Sequence, residues 1–147
     1  MTLYFDTSSL LKFHIEEEGS ESVRHLMASR QPLAMSRVAY PEARSGLARA
    51  YQAGRLNDTE YGSALGTFEL QWVGVVIIEV SDGLSLSAGN LAERYLLRGF
   101  DAIHLASALA FQDSIGEPVT FSAWDDRLLA AAQAERLSVA PITVVGL

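Results

Sequence analysis

Apolar and polar positions follow two periods along the chain, one typical of short buried strands and one typical of helices. Apolar or β-branched runs predict strands at residues 3–6, 33–35, 73–80, 119–121 and 139–145, the last interrupted by Pro141. Apolar residues recurring every three or four positions predict helices at residues 7–13, 21–30, 38–53, 58–72, 81–97, 101–111 and 125–136. The run at 73–80 is the clearest strand, and its continuous apolar character predicts burial on both faces.

The order of these elements indicates the fold class. Strands that alternate with helices favour an α/β sandwich with a mostly parallel central sheet. The 147 residues contain no repeat or long linker, so we expect a single domain over 1–147. Ligand sites in such sheets lie beyond the carboxyl ends of the strands. Asp6 ends the first predicted strand and Asp125 follows the fourth, so these two acids are candidates for such a site.

Composition narrows the class of protein. Hydrophobic residues make up 49% of the chain, which is enough for a substantial core. The absence of cysteine excludes disulfides and thiolate metal sites and fits a cytoplasmic protein. The apolar runs are too short to span a bilayer, and the first residues lack the basic and apolar regions of a secretory signal. We therefore expect a cytoplasmic protein without a membrane segment.

The charge balance complicates a role in nucleic-acid binding. The formal net charge is −7, whereas phosphate binding usually needs a basic surface. The only lysine is Lys12, and the other positive charges are arginines. The protein therefore either does not meet nucleic acid or concentrates its basic residues locally. A carboxylate cluster that a divalent cation neutralises would be a further source of negative charge.

Four acidic residues form the candidate chemistry: Asp6, Glu42, Asp101 and Asp125. Taken singly, the three aspartates are good helix caps and Glu42 could face solvent. Together, the aspartates fall at junctions before helices, next to apolar residues that would partly desolvate them. Carboxylates gathered in this way repel each other, and a hard cation such as Mg²⁺ or Mn²⁺ removes the conflict. The chemistry that such a site supports best is phosphodiester hydrolysis by a metal-activated water.

At these residues the chain resembles a known family. The segments at residues 4–12 (YFDTSSLLK), 36–47 (SRVAYPEARSGL), 97–108 (LRGFDAIHLASA) and 121–128 (FSAWDDRL) are similar, in this order, to the four motifs of VapC-type PIN domains, the toxins of VapBC toxin–antitoxin pairs. The first and third segments are the most specific. From the first to the last, the four segments span residues 4–128, which is nearly the whole chain.

The resemblance implies an α/β/α fold with a parallel sheet and a metal-dependent endoribonuclease that uses Mg²⁺ or Mn²⁺. It implies homodimers and a cognate antitoxin whose tail covers the site. By position, Asp6, Glu42, Asp101 and Asp125 would be the acidic quartet, with Asp6 and Asp101 as the surest metal ligands. Glu42 and Asp125 would bind the metal directly or through water. Ser8 would orient Asp6.

Two departures from the family pattern affect the quartet. Pro41 precedes Glu42 inside a predicted helix. Proline has no backbone N–H to donate, which a helix tolerates in its first turn. In the fourth motif, Ala123 stands where a hydroxyl residue is frequent, and Asp126 is an alternative to Asp125. The match to Asp-x-Arg-Leu favours Asp125.

Other residues have competing interpretations. His104 follows Asp101 by one helical turn and could approach the site, but the pattern favours a structural histidine. Candidates for RNA contact are Arg37, Arg44, Arg49 and Arg98, and Lys12 could touch a phosphate or merely serve the surface.

Alternative functions remain open at this point. A haloacid-dehalogenase-like phosphatase would need an acid at Ser8, a receiver domain would need a lysine on a late strand, and a serine hydrolase would need a Gly-x-Ser-x-Gly elbow. All three are disfavoured. Two alternatives remain: a catalytically silent PIN-like binding module and a DNA-cleaving nuclease of the same fold. The second remains because an acidic site acts on RNA and DNA backbones alike.

Overall fold

The structure is a computed structural model that describes residues 2–142. Five strands form one sheet: β1 (Thr2–Phe5), β2 (Leu33–Ser36), β3 (Val76–Ile78), β4 (Val119–Ser122) and β5 (Ser138–Ala140). Seven helices surround the sheet: α1 (Thr7–His14), α2 (Ser20–Ala28), α3 (Ala39–Gln52), α4 (Asp58–Gly74), α5 (Asp82–Tyr95), α6 (Gly99–Ile115) and α7 (Asp126–Ala134). The predicted α/β fold is confirmed.

The sheet is parallel throughout, with strand order β3-β2-β1-β4-β5. The central strand β1 pairs with β2 and β4, and its last residue, Phe5, aligns with Ser122 at the end of β4. The backbone N–H of Asp6 then donates to the carbonyl of Ser122 at 3.1 Å. The carboxyl ends of β1 and β4 therefore meet at one edge of the sheet.

Helices cover both faces of the sheet because successive side chains of a strand point in opposite directions. Tyr4 stacks on Phe121 at 5.5 Å between ring centroids, within a core that includes residues of α5, α6 and α7. Phe5 faces the other way and belongs to a core with Leu10 of α1 and Leu47 of α3. The central strand is buried throughout, as its apolar sequence predicts.

The predicted strand at 73–80 is wrong in its length and burial. Helix α4 begins at a capping box formed by Asn57 and Glu60 and continues to Gly74, so it occupies the first residues of that run. Only Val76–Ile78 form a strand, and Val76 is 43% exposed. Among the described strands it lies at the sheet edge and pairs only with β2. A short β-branched run does not distinguish an edge strand from a central one, because edge position depends on neighbours distant in sequence.

Smaller differences concern the last helices and strand. Helix α6 begins at Gly99, two residues before the predicted start, and extends to Ile115, where Gly116 ends it with a positive φ of 67°. The terminal strand is limited to Ser138–Ala140, and the predicted residues 143–145 lie outside the described part of the chain. Among the described helices, none is long and apolar enough to cross a membrane.

The helix that carries Glu42 starts late enough for Pro41 to lie in its first turn. Helix α3 begins at Ala39, so proline is its third residue, where its missing N–H has no partner within the helix. Gly46 brings this helix against α1, because a Cβ at that position would lie 2.6 Å from Leu11 Cδ1. The close approach of the two helices places Glu42 above the start of α1.

Candidate active site

Asp6 is fixed where β1 passes into α1. It is the N-cap of that helix and is only 6% exposed. Ser8 Oγ donates to Asp6 Oδ1 at 2.7 Å, and the backbone N–H of Ser9 donates to the same oxygen at 3.0 Å. Burial raises the pKa of Asp6 despite these hydrogen bonds, and the negative charge of Asp101 raises it further. The capping role and a site role therefore coexist in one side chain.

Glu42 is held by two side chains from other elements. Thr7 Oγ1 donates to Glu42 Oε1 at 2.7 Å, and His104 Nε2 lies 2.9 Å from the same oxygen. Partial burial opposes ionisation of Glu42, but the hydrogen bonds from His104 and Thr7 outweigh it and lower the pKa of this carboxyl. Glu42 is therefore an ionised carboxylate of fixed orientation at neutral pH.

His104 is both satisfied in the core and part of the site. Its side chain is only 2% exposed. Nδ1 lies 2.9 Å from the hydroxyl of Tyr4, and Nε2 lies within hydrogen-bonding distance of Glu42 and Thr7. Burial raises the pKa of Tyr4, which keeps its hydroxyl protonated. His104 therefore links the buried hydroxyl of Tyr4 to the carboxylate of Glu42. The interpretation as a structural histidine was incomplete, because this residue also orients an acid.

Asp101 lies in the first turn of α6, and its carboxylate has no hydrogen bond within residues 2–142. Its pKa is raised, first by burial and next by the negative charge of Asp125. It lines a cleft of about 590 Å³ together with Asp6, Glu42 and His104, which we call the inner cleft. A free and partly desolvated carboxylate at this position is suited to receive a cation.

Asp125 lies on the other side of Asp101. It is the N-cap of α7, accepts a hydrogen bond from the backbone N–H of Leu128 at 2.9 Å, and is exposed. A second depression of about 470 Å³, the outer depression, contains Asp125, Asp126 and also Asp101. Among the charges that raise the pKa of Asp101, that of Asp125 has the largest effect.

The donor set fits a hard divalent cation bound through few protein ligands. Within residues 2–142, no three acidic or histidine side chains are placed to hold one metal ion together. Mg²⁺ commonly binds through one or two carboxylates and keeps several waters. Asp6 and Asp101 provide carboxylate oxygens in the same cleft, and both resist ionisation without a neighbouring positive charge. These two residues would hold the ion, with Glu42 close by.

The sequence indicated the four acids but not two residues that support Glu42: Thr7, which contacts it directly, and Tyr4, which contacts His104. Thr7 directly follows Asp6, and its role depends on the approach of α3, which nothing near it in the sequence reveals. Tyr4 lies between Leu3 and Phe5 in β1, so the hydrophobic pattern alone predicts a core residue. The available signal is a buried tyrosine, since its hydroxyl needs a partner. That partner is His104, which is 100 residues away in the chain.

Comparison with known proteins places the chain in a family. The model of the PIN domain matches residues 3–115, a range that includes Asp6, Glu42 and Asp101 but not Asp125. Ribonuclease VapC45 of Mycobacterium tuberculosis is 37% identical over 140 residues, covering 95% of this chain and 94% of the relative.

Solved structures have the same fold. The Pyrobaculum aerophilum protein PAE2754 superposes with a TM-score of 0.65 and 17% identity, over 95% of this chain and 83% of that one. A toxin–antitoxin complex from Klebsiella pneumoniae gives a TM-score of 0.62 and 19% identity, over 88% and 91% of the two chains. Together with the family model and the mycobacterial relative, they agree with the motifs and the parallel sheet: the chain belongs to the PIN domain family, in the group of the VapC ribonucleases.

Proposed function

We propose that the protein is an endoribonuclease that hydrolyses RNA phosphodiester bonds with Mg²⁺ or Mn²⁺, and that it is the toxin of a toxin–antitoxin pair. The observation that carries this proposal is the inner cleft. There, Asp6 and Asp101 come from distant parts of the chain, share one opening, and both have a raised pKa. The VapC relatives with high coverage are ribonucleases by name, which supports RNA as the substrate.

The side chains divide the work of hydrolysis. A bound cation would activate a water and stabilise the charge that develops on the phosphate. Asp6, aimed by Ser8 and the Ser9 backbone, and the free carboxylate of Asp101 would bind that cation. Glu42 accepts both of its hydrogen bonds on Oε1, so Oε2 is the oxygen that can orient or deprotonate the attacking water. His104 holds Glu42 in place through its hydrogen bond to Oε1.

Asp125 acts at longer range in this proposal. It is exposed and separated from Asp6 by Asp101, so we assign it a contact to the cation through water. Its charge would also favour binding of a cation at Asp101. We propose that the four acids belong to one PIN-like nuclease domain over residues 1–147.

Partners are proposed from the relatives. The Klebsiella pneumoniae structure is a complex of a toxin with its antitoxin, and that of Rickettsia felis is named VapBC2. We propose that this chain likewise binds a cognate antitoxin, forms a homodimer, and acts in the cytoplasm, where its RNA substrate is found.

Cleavage of an RNA panel tests the function. The purified protein is incubated with single-stranded RNAs in Mg²⁺, in Mn²⁺ and in EDTA, with the variants Asp6→Asn and Asp101→Asn. Asp113→Asn is the matched control, since Asp113 is an exposed acid on the same helix as Asp101. We expect metal-dependent cleavage by the wild type and the control only. Cleavage that survives both active-site substitutions would rule out the proposed chemistry.

The same reagents separate the alternatives. A catalytically silent binding module would show no cleavage and no change in melting temperature with Mg²⁺ that depends on Asp6. A DNA-cleaving enzyme would cut a DNA panel faster than the RNA panel.

A further inference from the structure

The arginines of this acidic chain are not equally committed. Six of the 11 lysine and arginine side chains form ion pairs with carboxylates: Lys12, Arg24, Arg37, Arg44, Arg55 and Arg94. Within residues 2–142 the other five form no ion pair with a carboxylate: Arg30, Arg49, Arg98, Arg127 and Arg136. Arg98 attracts the carboxylate of Asp101 only at longer range. Two of the four arginines that the sequence suggested for RNA contact, Arg37 and Arg44, are therefore already paired.

Three of the five unpaired arginines surround the acids. Arg49 lines the inner cleft, and Arg98 and Arg127 line the outer depression. All three are exposed, and the guanidinium of Arg127 is anchored by a hydrogen bond to the carbonyl of Leu96 at 3.1 Å. A chain with a net charge of −7 thus has arginines without ion pairs in both depressions that contain its acids. Such an arrangement suits a polyanion that must approach acidic groups.

An exposed aromatic ring lines the inner cleft. Phe100 is 58% exposed, lines the inner cleft, and directly precedes Asp101. Its place beside the acids, rather than its exposure alone, makes this ring a candidate for contact with a bound strand. Nucleic-acid bases stack on exposed aromatic rings with a gain of about 1–3 kcal/mol per base. Stacking requires a base that is not already stacked in a duplex.

We propose that single-stranded RNA crosses both depressions, with a base next to the scissile phosphate stacked on Phe100. Arg49 contacts the backbone on the side of the inner cleft, and Arg98 and Arg127 contact it on the side of the outer depression. This inference deepens the proposed function and rests on it. It assigns strand binding to residues other than the acids, so binding and cleavage can be tested separately.

The experiment measures binding in an Asp101→Asn background, so that the RNA remains intact in Mg²⁺. Fluorescence anisotropy of a labelled single-stranded RNA gives the Kd over a series of salt concentrations. Arg49→Gln, Arg98→Gln and Arg127→Gln are each expected to reduce the slope of log K against log salt by about 0.7, the value for one phosphate contact on a single strand. Arg30→Gln and Arg136→Gln are matched controls, since they remove unpaired arginines outside both depressions and should leave the slope unchanged.

The aromatic contact has a different expected result. Phe100→Ala should weaken binding by about 5- to 150-fold without changing the salt slope, because stacking releases no counterions. Phe100→Trp should retain binding. Melting temperatures of all variants report whether the fold is intact.

Several results would overturn the strand path. Equal slope changes for the control and the cleft arginines would mean that binding is non-specific. Duplex RNA or single-stranded DNA that binds more tightly than single-stranded RNA would contradict the assigned substrate class. If the arginine and Phe100 effects appear but the wild type cleaves no RNA in Mg²⁺ or Mn²⁺, the strand path stands and the proposed function fails.

Discussion

The inner cleft and the outer depression share Asp101, but their other acids differ in hydrogen bonding and exposure. In the inner cleft, Asp6 and Glu42 accept hydrogen bonds from neighbouring groups that fix their orientation. In the outer depression, Asp125 is exposed, and its one described hydrogen bond serves the start of α7. The first region controls both the charge and the direction of its carboxylates, and the second contributes mainly charge.

The comparison suggests why a nuclease site benefits from two kinds of acid. Buried carboxylates with raised pKa values gain most from a bound cation, because the ion relieves their desolvation and mutual repulsion. An exposed carboxylate loses little on ionisation and is weakly coupled through high-dielectric solvent. Removing an inner acid should therefore cost far more activity than removing the outer one. The following predictions test this difference in order of expected effect.

The shared acid should give the largest loss. Asp101→Asn is expected to lower the cleavage rate by more than about 100-fold, since loss of groups that merely support a metal ligand already costs about 10–100-fold. Single-turnover cleavage in Mg²⁺ measures the effect. Asp113→Asn should stay close to wild type, and a similar loss in that control would show that the helix, not the site, was disturbed.

The residue that orients Glu42 should come next. His104→Leu is expected to reduce cleavage by about 10–100-fold, because Glu42 loses a donor and Tyr4 loses its partner. His104→Gln should recover part of the rate, since its amide can still donate toward Glu42.

A double-mutant cycle separates orientation from general packing. If His104 acts through Glu42, the losses from His104→Leu and Glu42→Gln will be far from additive. Additive losses, with a proportional fall in melting temperature, would assign His104 to the core alone.

The outer acid should matter least for cleavage. Asp125→Asn is expected to lower the rate by about tenfold or less, corresponding to a Coulombic contribution of roughly 1 kcal/mol through solvent-exposed space. Asparagine caps helices as well as aspartate does, so α7 should remain stable. The loss should shrink in high salt, which screens exposed charges. A loss as large as that of Asp101→Asn would abolish the distinction between the two regions.

A stability measurement checks the inner cleft without any substrate. Because folding raises the pKa of Asp6, the folded state favours its protonated form, and stability is lost as the pH rises through the folded-state pKa. Asp6→Asn keeps the cap and cannot ionise. We expect its melting temperature without metal to exceed that of wild type by about 2–4 °C at pH 7, corresponding to roughly 1 kcal/mol.

The pH and metal dependence give the sign of this effect. The difference between Asp6→Asn and wild type should vanish below about pH 4, the ordinary range of an aspartate pKa, and open as the pH rises. Mg²⁺ should raise the melting temperature of wild type and not of the variant. A variant less stable than wild type at pH 7 without metal would contradict the burial of an ionised Asp6.

The sequence by itself determined the fold class and the parallel sheet, and it supplied the four acids as candidates for the site. Local patterns decide these features: residues 3–5 of β1 are apolar or aromatic, and Asp6 follows a strand and caps a helix. The third strand shows where this reasoning fails, since the apolar run at 73–80 is shared between a helix and a short strand at the sheet edge.

Only the tertiary structure decided how the acids are supported and which arginines are available. His104 contacts Glu42 and Tyr4 because α3, α6 and β1 converge, although these residues are 62 and 100 positions away from it. Arg37 and Arg49 are alike in sequence, but the first is paired with Glu79 and the second lines the inner cleft. Hydrogen bonds and ion pairs depend on atoms within a few ångströms, and folding sets those distances between residues that no local pattern connects.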